Sequence, residues 1–447
     1  MTRWQALAVL SAGTLMIIID QTIVSVALPA IRADLGFSRP GLAWVVNAYV
    51  IPFGGLLLLA GRLGDLLGRK RMFVAGMVVF TVASLLCGLA PTAGLLVGAR
   101  FLQGVGGAMV SGVSLGMVVA LFPAPAERAR ALGVYSFVQA SGGSIGSLLG
   151  GVLTQTVSWP WIFYLNLPIG AVAVVLARRL GADRGVGRRA DGLGGALATA
   201  GLMLAVYAIV DQVWLAGVAA VVLLGAFVLR ESTAAAPLLP PRTLRGVVGV
   251  NAVQALLAAA MFSFLFFVVL YLVSLGYSPL ATGLAMVPVS VSIGVVSLLF
   301  SARLNVRFGE RPVLLTGLAS ITLGLALIAF APGAVVVPAT VVLGVGFGAA
   351  MPALMALGMS TATAADAGLL SGVFNTSQQI GGALGLATLV ALTSDYWEAF
   401  ALSAALVVAA AVVQGLTGST GGVKAVSRST PRSRPGGQHD DGATHVS

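Results

Sequence analysis

Charge is scarce in this chain: only 9% of its 447 residues are charged, against 58% hydrophobic, and the mean hydropathy is +1.02. Too little charge is present to cover a soluble globule, which places the chain in a membrane. Cysteine occurs once, as Cys87, so no internal disulfide framework is expected and the thiol reads as packing in an apolar run. Both histidines, His439 and His445, lie near the C-terminus, which leaves no set of residues for an intramembrane zinc site, and no metal is expected. Neither of the two lysines, Lys70 and Lys424, follows a glycine, so no phosphate-binding loop of the Walker type exists and the chain is not itself an ATP-driven pump. Among the few acids only Asp20 falls inside a long apolar stretch. An embedded hydrolase or transferase needs paired carboxylates or a nucleophile with its base, so an enzyme is not expected, nor is a cofactor.

What the chain has is apolar runs of membrane-spanning length. Crossing about 30 Å of hydrocarbon takes about 20 helical residues. Unsatisfied backbone excludes open sheets there, and the runs are too long and uniformly apolar for barrel strands. Fourteen helices are expected near residues 5–29, 41–61, 72–91, 93–121, 131–157, 162–177, 192–210, 213–229, 247–272, 281–300, 312–331, 334–359, 367–392 and 397–416. The first run is too long for a signal peptide and carries Asp20, so it reads as the first helix. Of the 25 basic residues, 22 fall at the N-terminus, in the loops after even-numbered helices, or in the tail, whereas the opposite loops hold Arg32 and Arg39 alone. The positive-inside rule then puts both termini in the cytoplasm of a multi-pass protein of the cytoplasmic (inner) membrane. The net charge of +11 is mostly this topology signal rather than a nucleic-acid footprint. Residues 419–447, rich in Ser, Pro, Gly and Arg, are expected to be a disordered tail.

The chain also repeats itself. GRLGDLLGRKR from Gly61 and RLNVRFGER from Arg303 align at an offset of 241, bringing Gly68 onto Gly309 and Arg62 onto Arg303. GVGGAM from Gly104 resembles GVGFGAAM from Gly344, and IGSLLG from Ile145 resembles IGGALG from Ile380, at offsets of 240 and 235. Two parallel six-helix halves follow, residues 1–183 and 241–418, with two helices inserted over 184–240. Duplicated halves of this kind are the usual build of a transporter whose site lies between them and opens alternately to each side.

These motifs resemble the major facilitator superfamily, and within it the fourteen-helix drug:proton antiporters. IDQTIVSVALP from Ile19 is similar to that branch's first-helix motif, GRLGDLLGRKR to the superfamily's loop motif, and RFLQGVGGA from Arg100 to the fourth-helix motif. WPWIFYLNLPIG from Trp159, LGYSPLATGLAMVP from Leu275 and NTSQQIGGALG from Asn375 look like further segments of the branch. The resemblance implies proton-driven efflux of drugs or antibiotics, and a charge latch at Gly61, Asp65, Gly68, Arg69 and Lys70 that holds one conformation. Two positions depart from the pattern. Ser147 follows Gly146 where the antiporter motif has proline, which leaves the direction of exchange open, and Pro160 replaces an arginine.

An ionisable group in hydrocarbon costs at least about 2.5–3.5 kcal/mol, so it persists where it faces the bundle interior and does work. Asp20 lies nine residues before Pro29 and Arg100 eight after Thr92, which puts both ~12–13 Å below one membrane face at 1.5 Å per residue. An ion pair is permitted. Protonation neutralises a carboxylate and frees its cation, whereas arginine stays charged. Asp20 is thus the candidate proton carrier and Arg100 its tuner; a purely structural pair locking two helices is the alternative.

On the fourth helix Arg100, Gln103, Gly104, Gly107 and Ser111 share one face, expected to line the central cavity. The substrate-contact candidates are Met16, Gln21, Asn47, Gln103, Gln139, Asn375 and Gln379; intramembrane amides also serve as helix-to-helix glue. Gly142, Gly146, Gly150 and Gly151 read as a close-packing motif on the fifth helix. The expected partners are a small amphipathic solute, neutral or singly cationic, protons and the bilayer, with one copy as the functional unit. A proton-coupled importer, a uniporter and a non-transporting membrane sensor are the competing readings. Aligned by the repeat, the counterparts of Asp20 and Arg100 are Met261 and Thr340, so proton chemistry is expected in the N-terminal half alone.

Overall fold

The computed structural model describes residues 1–180, 191–233, 247–330, 333, 335–359 and 367–419. The helices are α1 Arg3–Leu35, α2 Arg39–Leu67, α3 Arg69–Gly88, α4 Ala93–Leu121, α5 Pro125–Thr156, α6 Trp161–Tyr164, α7 Asn166–Ala177, α8 Gly192–Val210, α9 Trp214–Thr233, α10 Val248–Ser274, α11 Pro279–Val295, α12 Ser301–Phe308, α13 Glu310–Phe330, α14 Val336–Met359, α15 Ala367–Leu392 and α16 Tyr396–Ser419. A π-helical turn, Val296–Phe300, joins α11 to α12. Helix overlaps each of the fourteen expected segments, and no strand occurs among the described residues. Eleven of these helices, with α11 to α12 taken as one, are long and apolar enough to cross a membrane; Trp161–Ala177 is shorter. The tail and both ends of the 184–240 segment lie outside the described residues.

Local signals set the ends. Thr2 and Gln5 form a reciprocal capping box that satisfies free N–H groups at the start of α1. Ser38 and Ser278 cap α2 and α11 ahead of prolines in the first turn, where a missing N–H costs nothing. Several boundaries differ from expectation. α1 does not stop at Pro29 but runs to Leu35 and closes at Gly36 with φ +68°, because an internal proline removes a single ladder bond and the flanking turns hold. Asp20 is therefore fifteen residues, ~22 Å, from the end of α1, and matching depth cannot be read from helix ends. The sixth span breaks at Leu165 into α6 and α7. The tenth continues through its π turn to Phe308, so its basic "loop" is largely helical.

Two local features of α1 to α4 recur in α12 to α14 at the offsets of the sequence repeat. A Cβ at Gly106 would lie 2.9 Å from the Gly76 carbonyl oxygen and 2.6 Å from the Phe80 nitrogen, and one at Gly346 would lie 2.6 Å from the Gly317 oxygen and 2.8 Å from the Ile321 nitrogen. Glycine is required at both, since any side chain would force these backbones apart. The turns after α2 and α12 match as well: Gly68 has φ +98° and Gly309 φ +85°, a region that side-chain-bearing residues rarely enter.

α1 to α7 and α10 to α16 meet at the end away from the basic loops, and again where α2 packs on α15. At the first of these, one apolar cluster joins Ile23, Ala27 and Ile31 of α1 with Phe163 and with Phe264, Phe267 and Phe400 of the C-terminal half. On the same side α5 meets α11 through backbone: a Cβ at Gly151 would lie 2.7 Å from the Pro279 oxygen, and the Leu280 N–H donates to Gln155 Oε1 at 2.9 Å. A second cluster is built from α1 to α5, α7 and α8, and takes only Ala383 and Ala387 as buried members from α10 to α16.

The inserted α8 sits against α2, with Gly55 facing Thr199 and Gly195 facing Leu59, and also touches α15. α9 packs chiefly on α8 and exposes Trp214, Val221, Val222 and Leu229. Asp191 caps α8 and accepts from Arg230 Nε at 2.8 Å and 2.9 Å, tying the two inserted helices together.

Candidate functional site

The two intramembrane charges meet. Arg100 of α4 donates through Nη1 to Asp20 Oδ2 of α1 at 2.5 Å, and both residues are at most 2% exposed. Each charge is further satisfied. Arg100 Nε donates to the Val45 carbonyl on α2 at 3.0 Å, Nη1 donates to Gln103 Oε1 at 2.7 Å, and the guanidinium lies 4.4 Å from the centre of the Tyr49 ring. Asp20 Oδ1 accepts from Gln103 Nε2 at 2.8 Å and from Asn166 Nδ2 at 3.0 Å. Ser84 of α3 closes the group, accepting from Gln103 at 2.8 Å and Asn166 at 3.3 Å while donating to the Phe80 carbonyl at 2.8 Å.

Side chains or carbonyls of five helices thus meet in one hydrogen-bonded cluster around the ion pair. Around the carboxylate every side-chain neighbour is a donor, the arrangement an ionised acid requires when water is excluded. The extra length of α1 does not disturb the pairing; in its last turns Trp159 Nε1 donates to Asp34 Oδ2 at 2.7 Å.

Not all candidates belong here. Gln103, expected on a cavity wall, is saturated by Asp20, Arg100, Ser84 and Cys87 and has no polar atom left for a solute. On the rest of its helix face, a Cβ at Gly104 would lie 2.7 Å from Pro52, and one at Gly107 3.0 Å from Phe53, so these two glycines pack on α2. Met16 is wholly buried in the second apolar cluster. Gln21 and Asn375 are half-buried. Asn47 is fully buried with neither amide atom partnered, and Gln379, against Gly54 of α2, keeps an unpartnered Oε1. The side chains of Gln139 and Asp65 lie outside the described residues.

Gly142 and Gly150 stand against Ile18 and Ile23 of α1, Gly146 against Thr22, and Gly151 against α11 in the other half. Ser147 is buried and its hydroxyl donates to the Gly143 carbonyl at 3.1 Å; no proline interrupts α5 beyond its first turn. At the basic face Arg69 Nη1 donates to the Gly116 carbonyl at 3.2 Å, and Gly61 faces Gly112 across α4. Lys70 Nζ donates to the carbonyls of Arg178 and Leu180 at 2.7 Å and 2.6 Å, clasping the end of α7.

Sequence reasoning missed Asn166 and Ser84. A polar amide in the otherwise apolar run after Trp161 was the available signal; a serine in a membrane helix gave none, since it commonly bonds back to its own helix.

This fold and duplicated architecture agree with a family match. The Major Facilitator Superfamily model covers residues 10–386. The chain belongs to the Major Facilitator Superfamily. It is 37% identical to the puromycin resistance protein pur8 of Streptomyces alboniger over 89% of this chain and 83% of that protein. Similarity to the cephamycin export protein CmcT of Amycolatopsis lactamdurans is 36% over 96% and 94% of the two chains. Among solved structures, the partially occluded inward-open xylose transporter XylE from E. coli superposes with a TM-score of 0.66 at 15% identity, covering 93% of this chain and 99% of that one, a likeness of fold alone. The chain is accordingly a multi-pass membrane transporter and not an enzyme.

Proposed function

We propose that this transporter exports amphipathic organic compounds, antibiotics among them, in exchange for protons entering the cell. The observation that carries the reading is the buried Asp20, paired with Arg100 and surrounded by donors. A carboxylate so placed has one cheap way to change state, which is to take up a proton and release its cation. Each proton entering down the membrane potential releases ~2.3 kcal/mol per 100 mV, enough to drive uphill extrusion when both solutes share one conformational cycle. The names of the relatives supply the substrate class: puromycin and cephamycin are the first compounds to test.

In this reading the basic face is cytoplasmic, both termini lie inside, the membrane is the inner one, fourteen helices span it, and one copy suffices. The halves are residues 1–183 and 241–418, joined by the 184–240 insert. Contact between α5 and α11 away from the basic face is then the shut outer gate. Gly61, Asp65, Gly68, Arg69 and Lys70 form the inner latch, and Gln21, Asn47, Asn375 and Gln379 are the polar groups offered to the solute.

Inverted membrane vesicles test this. Imposing a proton gradient should drive puromycin uptake in the parent protein and not in Asp20→Asn. Gradient-driven uptake at parental rates in that variant would sink the proton-carrier role, and uptake only into right-side-out vesicles would establish import instead.

A further inference from the structure

Among the side chains that donate a hydrogen bond to Asp20, only Asn166 has a buried oxygen without a partner. Its Nδ2 donates to Asp20 and to Ser84, while its Oδ1 is buried without a hydrogen-bond partner. Gln103 differs. Its Oε1 accepts from Arg100, so turning that amide over would set its NH2 group against a guanidinium. Asn166 can turn over without meeting a cation.

That freedom matters once Asp20 holds a proton. A carboxylic acid donates as well as accepts, and a buried O–H left without an acceptor is costly. The guanidinium and the Gln103 NH2 group cannot accept it, and Gln103 Oε1 is occupied. Asn166 Oδ1 is the acceptor within reach. Ser84 can follow the reversal, because its hydroxyl is able to turn from the Phe80 carbonyl toward the new oxygen.

The geometry points to Asn166 as the residue that reads the protonation of Asp20: its amide donates to the carboxylate and, reversed, accepts from the acid. This rests on Asp20 being the proton carrier. One proton passes from water to Asp20 and stays there, taking the Asp20 and Arg100 pair from neutral to a single positive charge; no other bond is made or broken. The titratable or charged groups facing Asp20 among the described residues are Arg100 from α4, Tyr49 from α2 and Cys87 from α3.

The place of Asn166 in the chain makes its reversal transmissible. It opens α7 beside the break at Leu165, and Pro168, having no N–H, leaves the helix one bond short of the Tyr164 carbonyl. The far end of the same helix is where Lys70 is clasped by the carbonyls of Arg178 and Leu180. α7 therefore spans the distance from the proton site to the basic-face loop.

Infrared difference spectra of the full chain in lipid, taken on a pH change without substrate, test the inference. A protonated-carboxyl band absent from Asp20→Asn is expected in the parent. In Asn166→Leu that band should move to higher wavenumber, because the acid has lost its acceptor, and Asn166→Thr, which keeps an oxygen that can accept, should restore most of the parental position. Asn166→Ala serves in place of the leucine variant should that one not fold, with the same shift expected. A band unmoved in Asn166→Leu or Asn166→Ala would overturn the role of Asn166 and leave that of Asp20 standing. Absence of an Asp20 band in the parent at every pH would overturn both.

Discussion

The two halves share a backbone plan and differ in what they bury. Gly106 and Gly346 press against equivalent backbone atoms of their neighbours, and Gly68 and Gly309 make equivalent turns. Where the N-terminal half buries Asp20 and Arg100, however, the C-terminal half has half-buried Met261 and buried Thr340, whose hydroxyl only donates back to the Val337 carbonyl at 2.8 Å. Its interior is filled by rings instead, with Phe266 and Phe267 5.3 Å apart and Phe264 and Phe400 6.4 Å apart. The close glycine contacts thus recur at matched positions, whereas the buried ion pair does not. A fold can be copied while its polar site is not, because helix contact needs only small residues in register, whereas a buried charge needs every partner at once.

Substitutions at matched positions can break this comparison. The largest difference should separate Arg100→Leu from Thr340→Val. Removing the guanidinium leaves a carboxylate buried without its cation, at about 3–5 kcal/mol. Removing the Thr340 hydroxyl deletes one local bond, at about 0.5–1 kcal/mol. Unfolding in detergent micelles measures both, and similar losses would mean that the charge pair is no more demanding than its uncharged counterpart.

Gly106→Val and Gly346→Val should instead behave alike. Each adds carbon where backbone atoms already stand within 2.9 Å, an overpacking cost of about 1–3 kcal/mol. Unequal losses in the same assay would show that the frame is not equally tight in both halves.

The smallest effect belongs to the insert, which has no counterpart in either half. Burial pushes the Asp191 carboxyl up, but the Gly194 N–H and Arg230 outweigh it and hold the group below the usual carboxylate range. A group depressed in the folded state contributes stability above its unfolded pKa and loses it as pH falls through the folded one. Amide protection at the start of α8, taken relative to intrinsic exchange at each pH, should therefore be constant across neutral pH and fall only in acid. Arg230→Ala should bring that fall to a higher pH while leaving α2 and α4 unaltered.

Much of this was legible in the sequence because of contrast. Asp20, Arg100 and Gln103 stand out against apolar neighbours, and the glycine spacings carry the repeat. The sixth span was readable as a helix but not as a broken one, since Pro168 interrupts the ladder only once the carbonyl it fails to reach is known. The tertiary contacts were not legible: nothing in GRLGDLLGRKR says that Lys70 will find carbonyls more than a hundred residues away. The surroundings of Gln103 were not legible for a related reason, as helical spacing tells which residues share a face but not what that face meets. The polar, small face of α4 meets both the charge cluster and the close-packed α2.

The central claim, that a single carboxylate in the N-terminal half exchanges a proton for the solute, is tested most directly by proton release. Adding an exported compound to the purified protein in weakly buffered detergent should release protons from the parent and none from Asp20→Asn, although that variant still binds the compound. Parental proton release from Asp20→Asn would contradict the account.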